Sequence, residues 1–225
     1  INKIVGFNAH ITVKPYGEKI DNDKINQSNL KLISKNLIFT NSGEAIIIKS
    51  DTSKGIVLRG YNSSDFSKLE IINNKTFIGD KNDLSNNFIS IGKELSFDLN
   101  LKIGDNVTLM SSSGVETIIG SLPKQKTFIV KSLFESGLAD FDKNIAFINL
   151  ETLEEFFDLK KADRNLEIFL NNPQKIENQK KIVQNIFPDE FIYSWADLNK
   201  SLFSALKVER NVMFIILSLI IIVAA

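Results

Sequence analysis

The chain has 225 residues, with 27 basic and 27 acidic side chains, one histidine and no cysteine. This length allows one ordinary domain or two small ones. A formal net charge of zero argues against a nucleic-acid-binding surface, and the lack of cysteine excludes disulfides, zinc–thiolate sites and thiol nucleophiles.

The first part of the chain is predicted to be rich in β-strands. Apolar and β-branched residues predict strands at 8–13, 37–40, 45–49 and 55–60. Weak helical spacing predicts a surface helix over 19–35, and a short helix with a loop is expected at 63–74. The turn-type triplets Asn41-Ser42-Gly43 and Asp51-Thr52-Ser53 are predicted to separate the central strands.

The middle of the chain contains one unusually long predicted connection. Strands are expected at 88–91, 107–110 and 127–134, with helical spacing over 92–99 and a turn at Gly104-Asp105. Residues 111–126 must then connect two neighbouring extended segments. Connections of this length are usually functional or disordered, so this one is a candidate functional element.

Strands and helices alternate in the last third. A strand at 144–148 leads into a helix over 150–159 with Asn149 as its N-cap. A strand at 166–170 precedes a helix that begins at Asn172-Pro173 and ends at Pro188, and a short strand follows at 191–193. Because the central strands cluster, we predict an α+β fold rather than a doubly wound sheet.

The last helix is predicted to start at Ala196 and to continue unbroken. From Val212 to Ala225 the chain has 14 residues without a charge, whereas crossing a bilayer takes about 20. We therefore expect the start of a truncated transmembrane helix, entered just after Glu209 and Arg210; the alternative is a buried C-terminal helix. Ile1 is not a start residue and 1–7 carries no signal peptide, so an excised piece of a longer membrane protein is expected.

No motif indicates catalysis, a metal or a cofactor. His10 lies within a predicted strand and is interpreted as structural. Asp140 and Asp142 lack the remaining ligands of a calcium loop and are interpreted as a solvated turn. The acidic cluster over 151–155 is interpreted as a charged helix start.

Several segments resemble one permease family. The segment from Asp197 to Ala225, which includes Leu202-Phe203-Ser204-Ala205-Leu206, is similar to the second membrane entry of LolC/LolE-type permeases. These are the membrane subunits of the lipoprotein-releasing ABC transporter of Gram-negative bacteria. Similar segments are Gly6-Phe7-Asn8-Ala9-His10, Gly92-Lys93-Glu94-Leu95 and Gly120-Ser121-Leu122-Pro123-Lys124-Gln125-Lys126. The middle segments also resemble MacB-type and FtsX-type permeases.

The resemblance implies a periplasmic domain between the first two helices of an inner-membrane permease. The implied parts are a porter-like α/β part (about 1–55 and 160–195), a β-rich sabre-like part (about 56–159), a juxtamembrane amphipathic helix (196–211) and the truncated membrane helix (212–225). Implied partners are a LolD-like ATPase, a second permease subunit and a lipoprotein substrate. No enzymatic activity and no cofactor are implied for this chain itself.

The resemblance also implies a protruding hairpin, the hook, at Ser111–Leu122, which recruits a periplasmic LolA-like carrier together with a nearby polar pad. The implied carrier-contacting residues are Val115, Thr117, Ile118, Ile119, Leu122, Pro123, Gln125 and Lys126. The implied membrane-coupling residues are Leu198, Leu202, Phe203, Leu206 and Arg210. The alternatives are that the apolar hook residues fold back on the domain and that the last helix only anchors it.

Some residues depart from the family pattern. Lys126 replaces an arginine, Ile118 stands where proline is common, and Thr108 occupies the place of a second arginine. The subunit could therefore be LolC-like, LolE-like or a hybrid. The alternative hypotheses of function are a MacB-like efflux permease, an FtsX-like regulatory permease, a membrane-anchored periplasmic enzyme and a ligand-sensing domain.

Overall fold

The computed structural model of the chain describes residues 8–73, 75–85, 87–117 and 120–224, with the backbone alone described at 112–113, 115–117, 120–121, 201–207 and 223–224. The strands are β1 (Ile11–Lys14), β2 (Ser34–Lys49), β3 (Thr52–Tyr61), β4 (Ile78–Gly79), β5 (Phe88–Gly92), β6 (Asn106–Thr117), β7 (Gly120–Phe134), β8 (Ile145–Asn149), β9 (Asn165–Leu170) and β10 (Phe191–Ser194). The helices are α1 (Asn22–Gln27), α2 (Leu30–Ile33), α3 (Ser63–Phe66), α4 (Lys93–Asp98), α5 (Ala139–Asn144), α6 (Leu150–Phe157), α7 (Ile176–Ile186), α8 (Trp195–Leu198) and α9 (Lys200–Ala224). Short 3₁₀ turns lie at Lys161–Asp163 and Pro173–Lys175.

The strands form one continuous hydrogen-bonded system with two regions. In the first region, which we call the helix-covered sheet, β10, β1, β9 and the first half of β2 pair antiparallel in that order. In the second region, which we call the barrel, β2 pairs with β3, β3 with β8, β8 with β5, β5 with β7, β7 with β6, and β6 again with β2. The ring of strands therefore closes. The predicted α+β fold is confirmed.

Each region has its own apolar core. Alternate residues of all the barrel strands point inward, among them Ile47, Leu58, Ile91, Leu109 and Phe128. The helix-covered sheet packs Ile11, Val13, Leu166 and Ile168 against α1, α2 and α7. A third cluster joins the two regions and contains Ile38 and Phe169 from the helix-covered sheet with Tyr61, Phe134 and Phe147 from the barrel.

β2 runs without interruption from Ser34 to Lys49, so the predicted turn at Asn41-Ser42-Gly43 is wrong. Asn41 is buried, and its side-chain amide donates a hydrogen bond to Oε1 of Glu154 at 3.0 Å. A Cβ atom on Gly43 would lie 2.6 Å from the ring of Phe157. Asn41 and Gly43 therefore lie against α6, and the triplet does not reverse the chain.

The predicted long connection at 111–126 is also wrong, because most of it is strand. β6 and β7 have 12 and 15 residues and pair antiparallel up to the contact of Thr117 with Gly120. Ile118 and Ile119, which join the two strands, lie outside the described residues. The segment is therefore a β-hairpin.

Two helix starts agree with the sequence prediction. The side chain of Asn149 accepts hydrogen bonds from the backbone amides of Glu151 and Thr152, and so caps α6. Asn172 accepts from the amide of Gln174 ahead of the 3₁₀ turn that leads into α7. The predicted surface helix at 19–35 is instead split into α1 and α2, because Ser28 and Asn29 interrupt it.

The last helix differs from the prediction in one respect. It is interrupted at Asn199, which separates α8 from α9. The side-chain amide of Asn199 donates to the carbonyl oxygen of Trp195 at 2.8 Å, and its backbone amide donates to the same oxygen. This side-chain bond competes with the helical ladder, which is a known property of asparagine.

Among the described residues, no helix combines the length and the apolar character that a membrane crossing requires.

Candidate functional site

The β6–β7 hairpin extends beyond the barrel that contains its base. β6 pairs with β2 over Thr108–Ser111, and β7 pairs with β5 from Ile129 onward. The register between β6 and β7 shifts between Met110 and Gly114, so that 111–113 lie opposite Lys124 as a bulge. Beyond this bulge, Gly114–Thr117 pair with Gly120–Pro123 and with no further strand in the described part of the chain.

We call 114–123 the ribbon. At about 3.3 Å per residue, the paired part extends roughly 13 Å past the bulge. Leu122, on the ribbon, is 54% exposed, so a large apolar side chain on the projecting strand is available for contact. Pro123 is exposed and has no amide hydrogen, which suits a strand position without a neighbour.

Gln125 and Lys126 lie just below the ribbon and face opposite sides of β7. Gln125 is exposed, and its Nε2 lies 3.7 Å from the Sδ atom of Met110 across the hairpin. Lys126 is half-buried, with Nζ 5.7 Å from the centre of the Phe128 ring. The two polar groups are thus held at the base of the ribbon by the barrel strands.

Helix α6 contacts the ribbon at its base. The Lys124 ammonium forms an ion pair with Oδ1 of Asp158 and lies 3.3 Å from the carbonyl oxygen of Glu155. Asp158 ends α6 in the left-handed conformation, with φ of 57°. Lys124 therefore connects β7 to the C-terminal end of α6 at the point where the ribbon leaves the barrel. The C-terminal end of a helix favours a positive charge.

Glu154 belongs to the acidic cluster interpreted as a charged helix start, but it is buried and holds α6 in place. Its buried carboxylate accepts hydrogen bonds from Nε and Nη2 of Arg164 at 2.6 and 2.7 Å. The hydrogen bond to Glu154 raises the pKa of Arg164 against the opposing effect of burial. Asn41 on β2 binds the same carboxylate, so α6 is fixed to the strand that crosses from one region to the other.

A buried polar cluster connects the barrel to the helix-covered sheet. Arg59 of β3 forms an ion pair with Glu167 of β9, the Tyr61 hydroxyl donates to Glu167 at 2.9 Å, and Nη1 of Arg59 donates to Asn8 at 3.3 Å. Burial would lower the pKa of Arg59, but the Glu167 carboxylate together with Tyr61 and Tyr193 raises that pKa above its ordinary value. Burial also raises the pKa of Tyr61. A cavity of about 260 Å³ lies beside this cluster and reaches Leu198 of α8.

The start of the terminal helices is attached to α7. The Asp197 carboxylate accepts from the backbone amide and hydroxyl of Ser194, both at 2.7 Å, and from Lys180 at 2.6 Å. Burial opposes the charge, but these contacts lower the pKa of Asp197 to about 2. α8 is therefore anchored to the helix-covered sheet by a charged cap.

The residues considered for metal or acid–base chemistry have structural roles. Nδ1 of His10 accepts a hydrogen bond from the amide of Leu170 at 2.8 Å. Asp142 is buried and accepts from the amide of Ser136, so its interpretation as a solvated turn is wrong. Within the described ranges, no group of acidic and histidine side chains is arranged to hold a metal ion.

Sequence comparison finds several relatives named LolC. The chain is 29% identical to a lipoprotein-releasing system transmembrane protein LolC of Neisseria meningitidis over 191 residues, which cover 82% of the chain and 45% of that relative. It is 27% identical to LolC of Buchnera aphidicola from Acyrthosiphon pisum over 220 residues, which cover 96% of the chain and 54% of that relative. No family model matches the chain. The resemblance to LolC-type permease subunits is confirmed.

The LolC-type relatives are longer than this chain, which spans about half their length. The fold is also that of a MacB-like periplasmic domain. The periplasmic region of MacB from Actinobacillus actinomycetemcomitans superposes with a TM-score of 0.50 at 12% identity, covering 88% of the chain and 95% of that structure.

The structure brings together some of the residues that the LolC-type resemblance implies. Leu122, Pro123, Gln125 and Lys126 follow one another along β7 at the ribbon and its base. The backbones of Val115 and Thr117 lie on the facing strand, and Ile118 and Ile119 lie outside the described residues. Leu198, on α8, is 69% exposed and lies beside the cavity next to Arg59 and Glu167. Arg210 is exposed on α9. Only the backbone is described at Leu202, Phe203 and Leu206.

Sequence reasoning missed two groups of residues. The contact of Lys124 with Asp158 joins residues 34 positions apart, and the contact of Arg59 with Glu167 joins residues 108 positions apart. The one sequence signal for the buried ion pair is a charged residue inside a mostly apolar strand. Glu167 within Asn165–Leu170 and Arg59 within β3 both fit this description.

Proposed function

We propose that the chain is the extracytoplasmic domain of an inner-membrane ABC-transporter permease that releases lipoproteins and passes them to a periplasmic carrier. The observation that supports this most directly is the similarity to LolC proteins over about four-fifths of the chain or more. The likeness to MacB, at 12% identity, concerns the fold alone and does not favour an efflux function.

In this proposal the ribbon docks the carrier. An exposed apolar side chain on a projecting β-element, with polar groups at its base, is a surface suited to another protein. Leu122 provides the apolar contact, and Gln125 and Lys126 provide the polar one. Ile118 and Ile119, which lie between β6 and β7 in the sequence, are included in the proposed docking segment.

The terminal helices would connect the domain to the membrane part of the transporter. The apolar side chains of α9 from Val212 to Ile222 are exposed, which suits a segment that meets lipid or other membrane helices. ATP hydrolysis would take place on a separate LolD-like subunit, and a second permease subunit would complete the complex. We also propose the division into a porter-like part, about 1–55 and 160–195, and a sabre-like part, about 56–159.

A pull-down of the purified carrier by the full-length permease tests the docking role. The variant Ile118→Asp/Ile119→Asp/Leu122→Asp places charges on the ribbon and should reduce carrier capture by at least tenfold. Leu32→Asp is the matched control, because Leu32 is 75% exposed on α2 and its replacement should leave capture unchanged. Undiminished capture by the triple variant would refute the assignment.

A further inference from the structure

We infer that Lys124 is a positioning residue, which sets the direction of the ribbon by binding the C-terminal end of α6. The inference rests on the proposed function, because the ribbon's direction matters for a docking element. It concerns a residue next to the implied contact surface, and not one of the contact residues themselves.

Strand pairing alone does not fix the direction of the ribbon. Beyond the pair of Met110 with Gln125, the described residues of β6 and β7 pair only with each other. The one exception is Ser111, which pairs with Ala45 of β2. The bulge at 111–113 introduces a local bend and twist at the same level. An isolated pair of strands is only marginally ordered in water, so its direction depends on whatever holds its base.

Lys124 lies at the base of the ribbon. It is the β7 residue opposite the bulge, adjacent to Pro123, the last residue of the ribbon. Its side chain is only 24% exposed, although lysine side chains usually extend into solvent. Its ammonium contacts both Asp158 and the carbonyl oxygen of Glu155, so it is held by two groups at one helix end.

Helix α6 is itself firmly attached to the rest of the domain. Asn149 caps its N-terminus, Arg164 and Asn41 bind Glu154 at its centre, and Phe157 packs on Gly43. A side chain bound to this helix is therefore bound to the body of the barrel. Because Asn41 and Gly43 belong to β2, the same helix also contacts the strand that leads to the helix-covered sheet.

Removing Lys124 should change the ribbon's orientation and leave its own strand pairing intact. This chain has no cysteine, so spin labels can be placed at Glu116→Cys on the ribbon and Ser53→Cys at the start of β3 once any cysteine elsewhere in the full-length permease has been replaced. In the full-length permease, pulsed electron resonance should show one narrow distance distribution. Lys124→Met and Asp158→Asn should each broaden or shift it, and Lys124→Arg, which keeps the charge, should preserve it.

The matched control is Lys131→Met. Lys131 also lies on β7 and forms an ion pair with Asp83 at 3.5 Å, but it lies within the barrel part of the strand. This variant should leave the distance distribution narrow. An unchanged distribution in Lys124→Met, or an equal change in Lys131→Met, would overturn the positioning role.

Carrier affinity separates this inference from the proposed function. With purified carrier, Lys124→Met should weaken binding by about three- to tenfold, Lys124→Arg should restore it, and the melting temperature should remain unchanged. If the distance distribution broadens while carrier affinity stays constant, Lys124 positions the ribbon but the docking assignment is wrong. If both remain constant while the ribbon triple variant abolishes binding, the docking assignment holds and the positioning role is wrong.

Discussion

Glu167→Ala should be among the most destabilising single substitutions in the chain. The Glu167 side chain is 6% exposed and the Arg59 side chain 13% exposed. Removing one partner of a buried ion pair costs about 3–5 kcal/mol, because the other charge stays buried without compensation. The Tyr61 hydroxyl loses its acceptor as well. We therefore expect the free energy of unfolding to fall by about 4 kcal/mol, with Glu167→Gln intermediate.

The assay is urea unfolding of the chain in mild detergent, followed by the fluorescence of its single tryptophan, Trp195, which lines the adjacent cavity. At about 2–4 °C per kcal/mol for a chain of this size, the melting temperature should fall by roughly 8–16 °C. Lys35→Ala is the control, because its ion pair with Glu70 is exposed and is worth about 0.5 kcal/mol or less. A loss below about 1 kcal/mol for Glu167→Ala would refute the reasoning.

Three further predictions concern single positions. Gly92→Ala should destabilise the chain by about 3 kcal/mol or more, because its Cβ would lie 2.0 Å from the backbone of Asp142, whereas Gly55→Ala, with open space around its Cβ, should be neutral or slightly stabilising in thermal melts. Asp197→Asn should lower stability by about 1 kcal/mol at pH 7. Because the pKa of Asp197, about 2, lies below the ordinary aspartate value of about 3.9, this difference should be complete above about pH 4 and should vanish in melts near pH 2. Asn199→Ala should remove the break between α8 and α9, which hydrogen exchange would detect as slower exchange of the amides around 199; unchanged exchange would contradict the role given to this side chain.

Local sequence signals predicted the features that depend on near neighbours. Asn149 and the Asn172-Pro173 pair mark helix starts because their side chains bond to amides two or three residues away. The α+β class followed in the same way from the clustering of the central strands. The helix starts need only residues within one turn, and the fold class needs only the order of strands and helices along the chain.

The errors have a common physical cause, which is tertiary contact. Asn41-Ser42-Gly43 has the composition of a turn, yet α6 packs on it and requires a small residue at Gly43. Asp142 and Glu154 are typical surface residues by type, but both are buried: Asp142 accepts from the amide of Ser136, six positions away, and Glu154 binds Asn41, 113 positions away. The sequence pattern alone indicated a loop at 111–126, because it does not show that the two halves of this segment pair with each other as β6 and β7.

The central claim is that the ribbon docks a periplasmic lipoprotein carrier. The most direct measurement is site-specific photo-crosslinking in the intact transporter, with the reactive group placed at Leu122. An equivalent group at Ile78, an equally exposed apolar residue on β4, provides the comparison. The account predicts that the carrier crosslinks at Leu122 and not at Ile78; equal crosslinking at both positions, or crosslinking at Ile78 alone, would contradict it.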